Sequence, residues 1–291
     1  MQDASKPIWV NSDNQEVITV NLEEAMKQKS VPIRIFVATP VHSEVSVHYA
    51  RAILDFQKEC MKNNILVSFS LIKSSLVTQG RNLCVSQFLE ENEKYTHLLF
   101  IDSDIEFKPS TIFEMIKKDK ELITCPYPMK TFNWDKMTKR INKSEINNAE
   151  ELSKSGFTFP LKVPNKDKIV SNEGVIELSH APTGCMLIKR QVFDKMIKAY
   201  PEKEIIQPTI INGKETTRPF FYNFFDCIHD PETKNYFGED FGFCRLWTKI
   251  GGKCYAYIMD EITHVGDHLY SGRLYDELIH LRKVDESNKN K

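Results

Sequence analysis

At 291 residues the chain is long enough for one large α/β core with insertions, and 39 Lys plus Arg against 40 Asp plus Glu, a formal charge of −1, removes any global attraction to nucleic acid or an anionic membrane. No run approaches the roughly 18 apolar residues of an integral membrane segment, and MQDASKPIWVNSDNQE lacks the basic-then-apolar layout of a signal peptide. Seven cysteines without a C-x-x-C pair suit buried reduced thiols better than disulfides or a zinc site, so a soluble chain in a reducing, cytoplasmic compartment is expected, with peripheral membrane association or a lost anchor left open.

Residues 1–30 read as a polar N-terminal arm. VPIRIFVATPV (31–41), apolar and β-branched, predicts a first central strand ended by Thr39-Pro40. In EVSVHYARAILDFQKECMK (44–62), Val47, Ala50, Ile53, Leu54 and Met61 stand at helical spacing and predict the buried face of a helix. NILVSFSLI (64–72) predicts a strand, and RNLCVSQFLEEN (81–92) a helix that starts at Arg81 and Asn82, behind Gly80. HLLFI then runs straight into Asp102, Asp104 and Glu106, Pro109-Ser110 open a helix through TIFEMIKKDK, and ELITCPYP (121–128) closes as a strand. This alternation predicts an α/β fold with a mostly parallel central sheet flanked by helices. The binding crevice of such a sheet lies at the carboxyl ends of its strands.

Residues 130–175 break the rhythm and read as a long loop or lid. IELSHAPTGCMLIKRQVFDKMIKAY (176–200) reads as a strand, a small-residue turn and a helix from about Arg190. TIINGKETTRP reads as a hairpin turning at Asn212-Gly213. YFGEDFGFCRLWTKIGG (236–252) predicts a helix stopped by Gly251-Gly252, KCYAYIMDEITHVG (253–266) a last strand leading to His264, and 269–291 a charged tail.

Several groups carry chemistry. Asp102 and Asp104 would point to opposite faces of a strict strand, but a bend after Ile101 turns both to the crevice. Two close carboxylates call for a cation, and hard oxygen ligands suit Mn²⁺ or Mg²⁺ completed by phosphate. Glu239 and Asp240 open the late helix, where they either favour its dipole or supply a general base. His264, and less so His268, follow the last strand and can give nitrogen to a metal or serve structure. Arg81 and Asn82 offer phosphate contacts or plain capping. Thr183 and Gly184 make a tight turn that also permits close approach of a ligand. Trp134 stands outside any periodic pattern and would stack on a sugar or base, or pack the loop on the sheet. Glu106, beyond Ile105, reads as a solvated or capping residue.

Taken in order, IRIFVATPV, QGRNLCVSQFL, HLLFIDSDIEFKPSTIFEMI, APTGCMLIKRQVFDKM, YFGEDFGFCRLWTKIGG and THVGDH resemble the nucleotide-sugar glycosyltransferases of the GT-A fold over residues 31–268. The resemblance is family-two-like, its specific parts being the D-x-D block and the late G-E-D block with the PTGCMLI-type turn before it, while TCPYPMKTFNWD and DSDIEF also resemble the retaining mannosyltransferases of fungal mannan synthesis. The resemblance implies one domain with a Rossmann-like nucleotide-sugar half (31–128) and an acceptor half (129–268). It implies that Thr39, Pro40 and Val41 cradle the nucleoside and that Arg81, Asn82, Asp102 and Ser103 contact nucleotide, phosphate, ribose or sugar. It further implies that Asp102, Asp104 and His264 hold the metal, with Asp104 the usual direct ligand. Asp240 falls where inverting members keep the acceptor-side base, with Glu239 beside it. Trp134, Thr183 and Gly184 then serve the acceptor, a glycan or glycoprotein hydroxyl, and the donor is a UDP-sugar before a GDP-sugar. An aspartyl-nucleophile phosphatase also follows an apolar strand with D-x-D, but it wants a small hydroxyl residue or Val where Glu106 stands, and places the motif near the start of the sheet. A nucleotide- or carbohydrate-binding protein on a decayed transferase scaffold has no physical reason to keep Asp102, Asp104, Asp240 and His264 together.

Overall fold

A computed structural model describes residues 32–267 apart from 92–93, 144–145, 147, 166 and 212, together with two short outlying strands, β1 (Ile8–Val10) and β2 (Val17–Thr19), paired antiparallel. The remaining arm, the charged tail, Asn212 and His268 lie outside the described residues.

The core begins as the sequence predicts, with β3 (Arg34–Val41), α1 (Val47–Lys62), β4 (Leu66–Lys73), α2 (Val77–Glu90) and β5 (His97–Ile101). There follow a two-residue β6 (Ile105–Glu106), α3 (Pro109–Lys117) with proline in its first turn, and β7 (Leu122–Thr124). The segment read as a loop carries two helices, α4 (Trp134–Asn142) and α5 (Ala149–Ser155), each started by an asparagine whose side chain accepts a backbone N–H. Their faces are polar, with Met137 and Ser155 the buried members, so a search for apolar periodicity passes over them. Next come β8 (Val175–Leu178), β9 (Cys185–Lys189) and α6 (Arg190–Ala199), then the hairpins β10 (Thr209–Ile211) with β11 (Lys214–Thr216) and β12 (Ile228–Asp230) with β13 (Asn235–Phe237). Helix α7 (Glu239–Lys249), β14 (Cys254–Tyr257) and β15 (Thr263–His264) complete the described chain.

The central sheet has seven strands in the order β4-β3-β5-β9-β7-β14-β8. Strands β4, β3, β5, β7 and β14 run one way, and β9 and β8 run against them. The α/β class and mostly parallel sheet expected from the sequence are therefore present. β5 is buried at every position, the mark of a strand covered on both faces. One face packs on α2, α6 and α7 through Phe88, Phe193, Phe243 and Trp247. The other packs on α1 and α3 through Phe56, Phe113 and Ile116.

Two local expectations are corrected. Helix α1 buries Tyr49, Ala52, Phe56 and Cys60, whereas Val47, Leu54 and Met61 are 77%, 64% and 70% exposed. Two stripes compete on this helix, and the one with the aromatic rings hides more apolar area; Phe56 meets the rings of Phe107 and Phe113 at 5.8 Å each. Helix α2 starts at Val77, a turn before Arg81, because Ser74-Ser75-Leu76 already carries the chain out of β4. Among the described residues no helix is long and apolar enough to cross a membrane.

Candidate active site

The strand β5 stops at Ile101, and the next four residues close a turn in which the Ile105 N–H donates to the Asp102 carbonyl at 3.0 Å. The Asp102 N–H donates to the Gly184 carbonyl at 3.0 Å, so the turn before β9 is stitched to the D-x-D motif. The Ser103 carbonyl accepts the Ser46 N–H at the mouth of α1. Ile105 then pairs opposite His264 in the small β6–β15 ribbon, and the Val265 N–H donates to the Asp104 carbonyl at 2.8 Å. This ribbon carries His264 to Asp104 across more than half of the chain.

Arg81 lies in α2 beneath the motif. Its Nη1 and Nη2 donate to Asp102 Oδ1 and Oδ2 at 2.9 and 3.1 Å, a bidentate fork, and its Nε donates to Glu239 Oε1 at 3.1 Å. The guanidinium also lies 5.4 Å from the centre of the Phe100 ring. Burial by itself would lower its pKa, but Asp102 and Glu239 outweigh that and hold it charged. Arg81 thus joins the motif after β5 to the first residue of α7, and at 3% exposure it presents little of itself to solvent.

Asp240 sits one residue further into α7, with Oδ1 accepting the Phe241 N–H at 2.7 Å. Burial first, and then the charge of Glu239, push its carboxyl up to about 6, against the opposing pull of the Phe241 N–H and Arg81. A carboxyl of that strength is ionised at neutral pH yet basic enough to take a proton from a hydroxyl as it attacks.

Around Asp104 the arrangement is different. Lys130 donates its ammonium to Asp104 Oδ2, and His264 Nε2 stands 3.4 Å from the same oxygen. His264 Nδ1 is 2.8 Å from the Pro128 carbonyl, which can only accept, so Nδ1 carries the proton. A ring protonated at Nδ1 alone would present its Nε2 lone pair beside the carboxylate oxygen, two acceptors that a cation can join, whereas a doubly protonated ring would donate Nε2–H to that oxygen. Burial would raise Asp104, but the doubly protonated, donating His264 ring and the Lys130 ammonium outweigh it and bring the carboxyl to about 2. One oxygen and one nitrogen donor, the nitrogen oriented by a backbone carbonyl on its other side, are a pair that Mn²⁺ or Mg²⁺ could use if water and phosphate completed it. Asp102, turned to Arg81, does not add to that pair here, and no set of three ligating side chains stands together among the described residues.

The other residues singled out in the sequence fall into two groups. Thr39 is fully buried and shares a 2.7 Å hydrogen bond with the Tyr49 hydroxyl, while the Val41 carbonyl accepts the Ser74 N–H. Pro40, between them, packs toward Gly80 at the carboxyl end of β3. The buried Asn82 accepts the N–H groups of Phe224 and Phe225 and donates to Asn223 and the Phe225 carbonyl, so it clamps the 223–225 segment to α2. Thr183 is buried behind Gly184. At Gly184 a Cβ would stand 2.7 Å from the Tyr127 ring, whose hydroxyl accepts the Gly184 N–H at 3.2 Å; only glycine permits that approach. Trp134 is 63% exposed and belongs to the second group. It lines a cleft of about 940 Å³ together with Phe132, Phe157, Phe159, Lys130 and His264. Glu106 pairs with His48 at 3.1 Å.

Two site residues escaped the reading of the sequence, Tyr127 and Lys130. Tyr127 touches Gly184 and stacks edge-on against His264 with centroids 5.0 Å apart, its hydroxyl pKa raised by burial and then by Asp102. Both follow β7, a central strand, and the crevice rule for carboxyl ends of strands could have pointed to them.

No family model and no curated protein matches the chain. Among solved structures it is similar to A197 from STIV, at 16% identity and a TM-score of 0.39 over 83% of this chain and 98% of that one. It is also similar to a glycosyltransferase involved in the glycosylation of the major capsid of PBCV-1, at 8% identity and a TM-score of 0.31 over 59% of this chain and 68% of that one. Likenesses at this level carry no argument about the roles of individual residues.

Proposed function

We propose that this chain is a metal-dependent glycosyltransferase of the GT-A type. It moves a sugar from a nucleotide-sugar donor, a UDP-sugar before a GDP-sugar, to a hydroxyl on a glycan or glycoprotein. The observation that carries the reading is the pairing of Asp104 with His264, whose ring is oriented by its Nδ1–H on the Pro128 carbonyl, at the end of a fully buried central strand. When bound, a divalent cation supplies positive charge to a diphosphate leaving group. Asp104 and His264 hold it, and Thr39, Pro40 and Val41 shape the nucleoside end of the crevice. Arg81 fixes Asp102 and Glu239 in place, leaving Asp102 and Ser103 to face ribose or sugar.

Asp240 is the base of an inverting displacement. The acceptor oxygen bonds to the anomeric carbon as the bond from that carbon to the diphosphate oxygen breaks. The acceptor proton passes to the Asp240 carboxylate, and the electron pair leaves with the diphosphate. Glu239, tied to Arg81, raises the basicity of its neighbour by its charge. The acceptor lies along the cleft walled by Trp134 and Phe132, whose rings are 5.4 Å apart and offer apolar faces to a sugar. Gly184 and Thr183 keep Tyr127 and the motif turn in register beneath it.

The test is a thermal-shift panel of UDP-, GDP- and CMP-sugars with and without Mn²⁺. A ligand at a hundred times its Kd stabilises the folded state by about 2.7 kcal/mol, and the expected result is a metal-dependent rise with one nucleotide. No response to any of them overturns the proposal. Proton NMR of the product then reads the stereochemistry, and a retained anomer removes Asp240 from the role of base.

A further inference from the structure

We propose that Lys130 is a built-in counter-cation of the donor site. It holds the position at Asp104 while donor and metal are absent, is displaced by the divalent ion, and passes to the diphosphate. This rests on the donor-site reading given above and adds a residue to it.

Three observations place Lys130 in that role. First, its ammonium bonds Asp104 Oδ2, the same oxygen that His264 Nε2 approaches to 3.4 Å, so lysine and metal address one lone-pair set. Second, the side chain follows a defined path rather than trailing into water. Its stem lies on Gly266 just past β15, where an added Cβ would come within 2.6 Å of Lys130 Cδ and 3.2 Å of Cγ and Cε. Third, one short segment sets both partners: the Pro128 carbonyl fixes the proton of His264, and two residues later the chain delivers Lys130 to Asp104. That segment is itself anchored, the Met129 N–H donating to the Thr158 carbonyl and the Thr131 N–H to the Met129 carbonyl, both at 2.8 Å.

An ammonium and a divalent ion repel and cannot share one carboxylate oxygen at contact distance. Metal arrival therefore expels the ammonium, and the nearest anion a displaced lysine then meets is the diphosphate brought with the metal. With 40% of its side chain exposed and the cleft open beside it, Lys130 has the room to turn. The exchange separates two effects that a simple metal site would join. In the donor-free protein Lys130 opposes metal binding; in the loaded protein it favours the diphosphate and its departure.

The experiment measures Mn²⁺ binding to the donor-free full chain by electron paramagnetic resonance titration, for wild type, Lys130→Met and Lys130→Arg. It then measures UDP and GDP affinity at saturating Mn²⁺ by calorimetry. Lys130→Met is expected to bind Mn²⁺ about tenfold or more tighter than wild type, since a competing cation is gone, and to bind the nucleoside diphosphate several-fold more weakly. Lys130→Arg, which keeps the charge, should stay near wild type in Mn²⁺ affinity. Unchanged or weaker Mn²⁺ binding by Lys130→Met, with wild type binding normally, overturns the exchange and leaves the donor site standing. Absence of Mn²⁺ and nucleotide binding in wild type overturns the donor site and the exchange with it. Should Lys130→Met not fold, Lys130→Gln takes its place with the same expected signs.

Discussion

Replacing Arg81 with methionine tests how the site is held together. The substitution keeps a long stem in α2 and removes a guanidinium whose side chain is 4% exposed. Three charge-assisted bonds are lost, at 2.9, 3.1 and 3.1 Å. At about 1.5–3 kcal/mol each the bonds alone would sum to roughly 4.5–9 kcal/mol. Asp102 and Glu239, however, keep 24% and 16% of their side-chain surface and recover part of their hydration. The expected loss is therefore that of a broken buried pair, about 3–5 kcal/mol, a large share of the roughly 5–15 kcal/mol that keeps a protein folded. Urea unfolding reads it as a lower midpoint at unchanged slope. The cost comes mainly from two carboxylates left without their cation, so Arg81→Met combined with Asp102→Asn and Glu239→Gln should recover at least half of it. A loss under about 1 kcal/mol for the single variant, or a triple variant no better than the single, would refute the reasoning.

Asp240 carries a pH signature. Its folded value of about 6 lies above the 3.8 of an unperturbed carboxyl, so between those values the folded chain binds more protons than the unfolded one. Stability therefore falls as pH rises through this window, and the full penalty stands above it. Asp240→Asn should be more stable than wild type at pH 7 to 8, lose that advantage near pH 4, and abolish turnover while sparing donor binding; thermal melts across pH and calorimetry check each part. Wild-type kcat/KM should fall below pH about 6 as the base is protonated, and a profile flat from pH 5 to 8 would count against the assignment. In α1, Phe56→Ala should cost about 3–5 kcal/mol, whereas Leu54→Ala should stay within about 0.5 kcal/mol; urea midpoints that rank the other way would restore the stripe expected from spacing. Trp134→Ala should leave stability nearly unchanged, raise the acceptor KM several-fold and leave donor affinity alone, which initial-rate kinetics with each substrate varied would resolve.

The apolar run HLLFI meeting two aspartates was enough to locate the end of a buried strand, and the alternation around it was enough for an α/β class with a mostly parallel sheet. Both follow from short-range physics: a strand covered on both faces must be continuously apolar, and charge marks where the cover ends. The glycine pair after α7 and the proline opening α3 set element boundaries for the same reason, since backbone conformation is a property of the residue itself. Spacing could not choose between the two apolar stripes of α1, because the choice depends on Phe107 and Phe113 waiting on the sheet side.

What only the tertiary structure decided is which charges meet. Arg81 pairs with Asp102, 21 residues on, and with Glu239, 158 residues on, so a residue read as a phosphate contact at a helix start is a buried clamp in the second turn of α2. His264 reaches Asp104 through a two-residue ribbon too short to announce itself in the sequence, and Lys130 arrives from a segment that read as loop. Periodicity reports which side chains avoid water; it carries no information on which polar groups, far apart along the chain, the packed sheet will bring opposite one another.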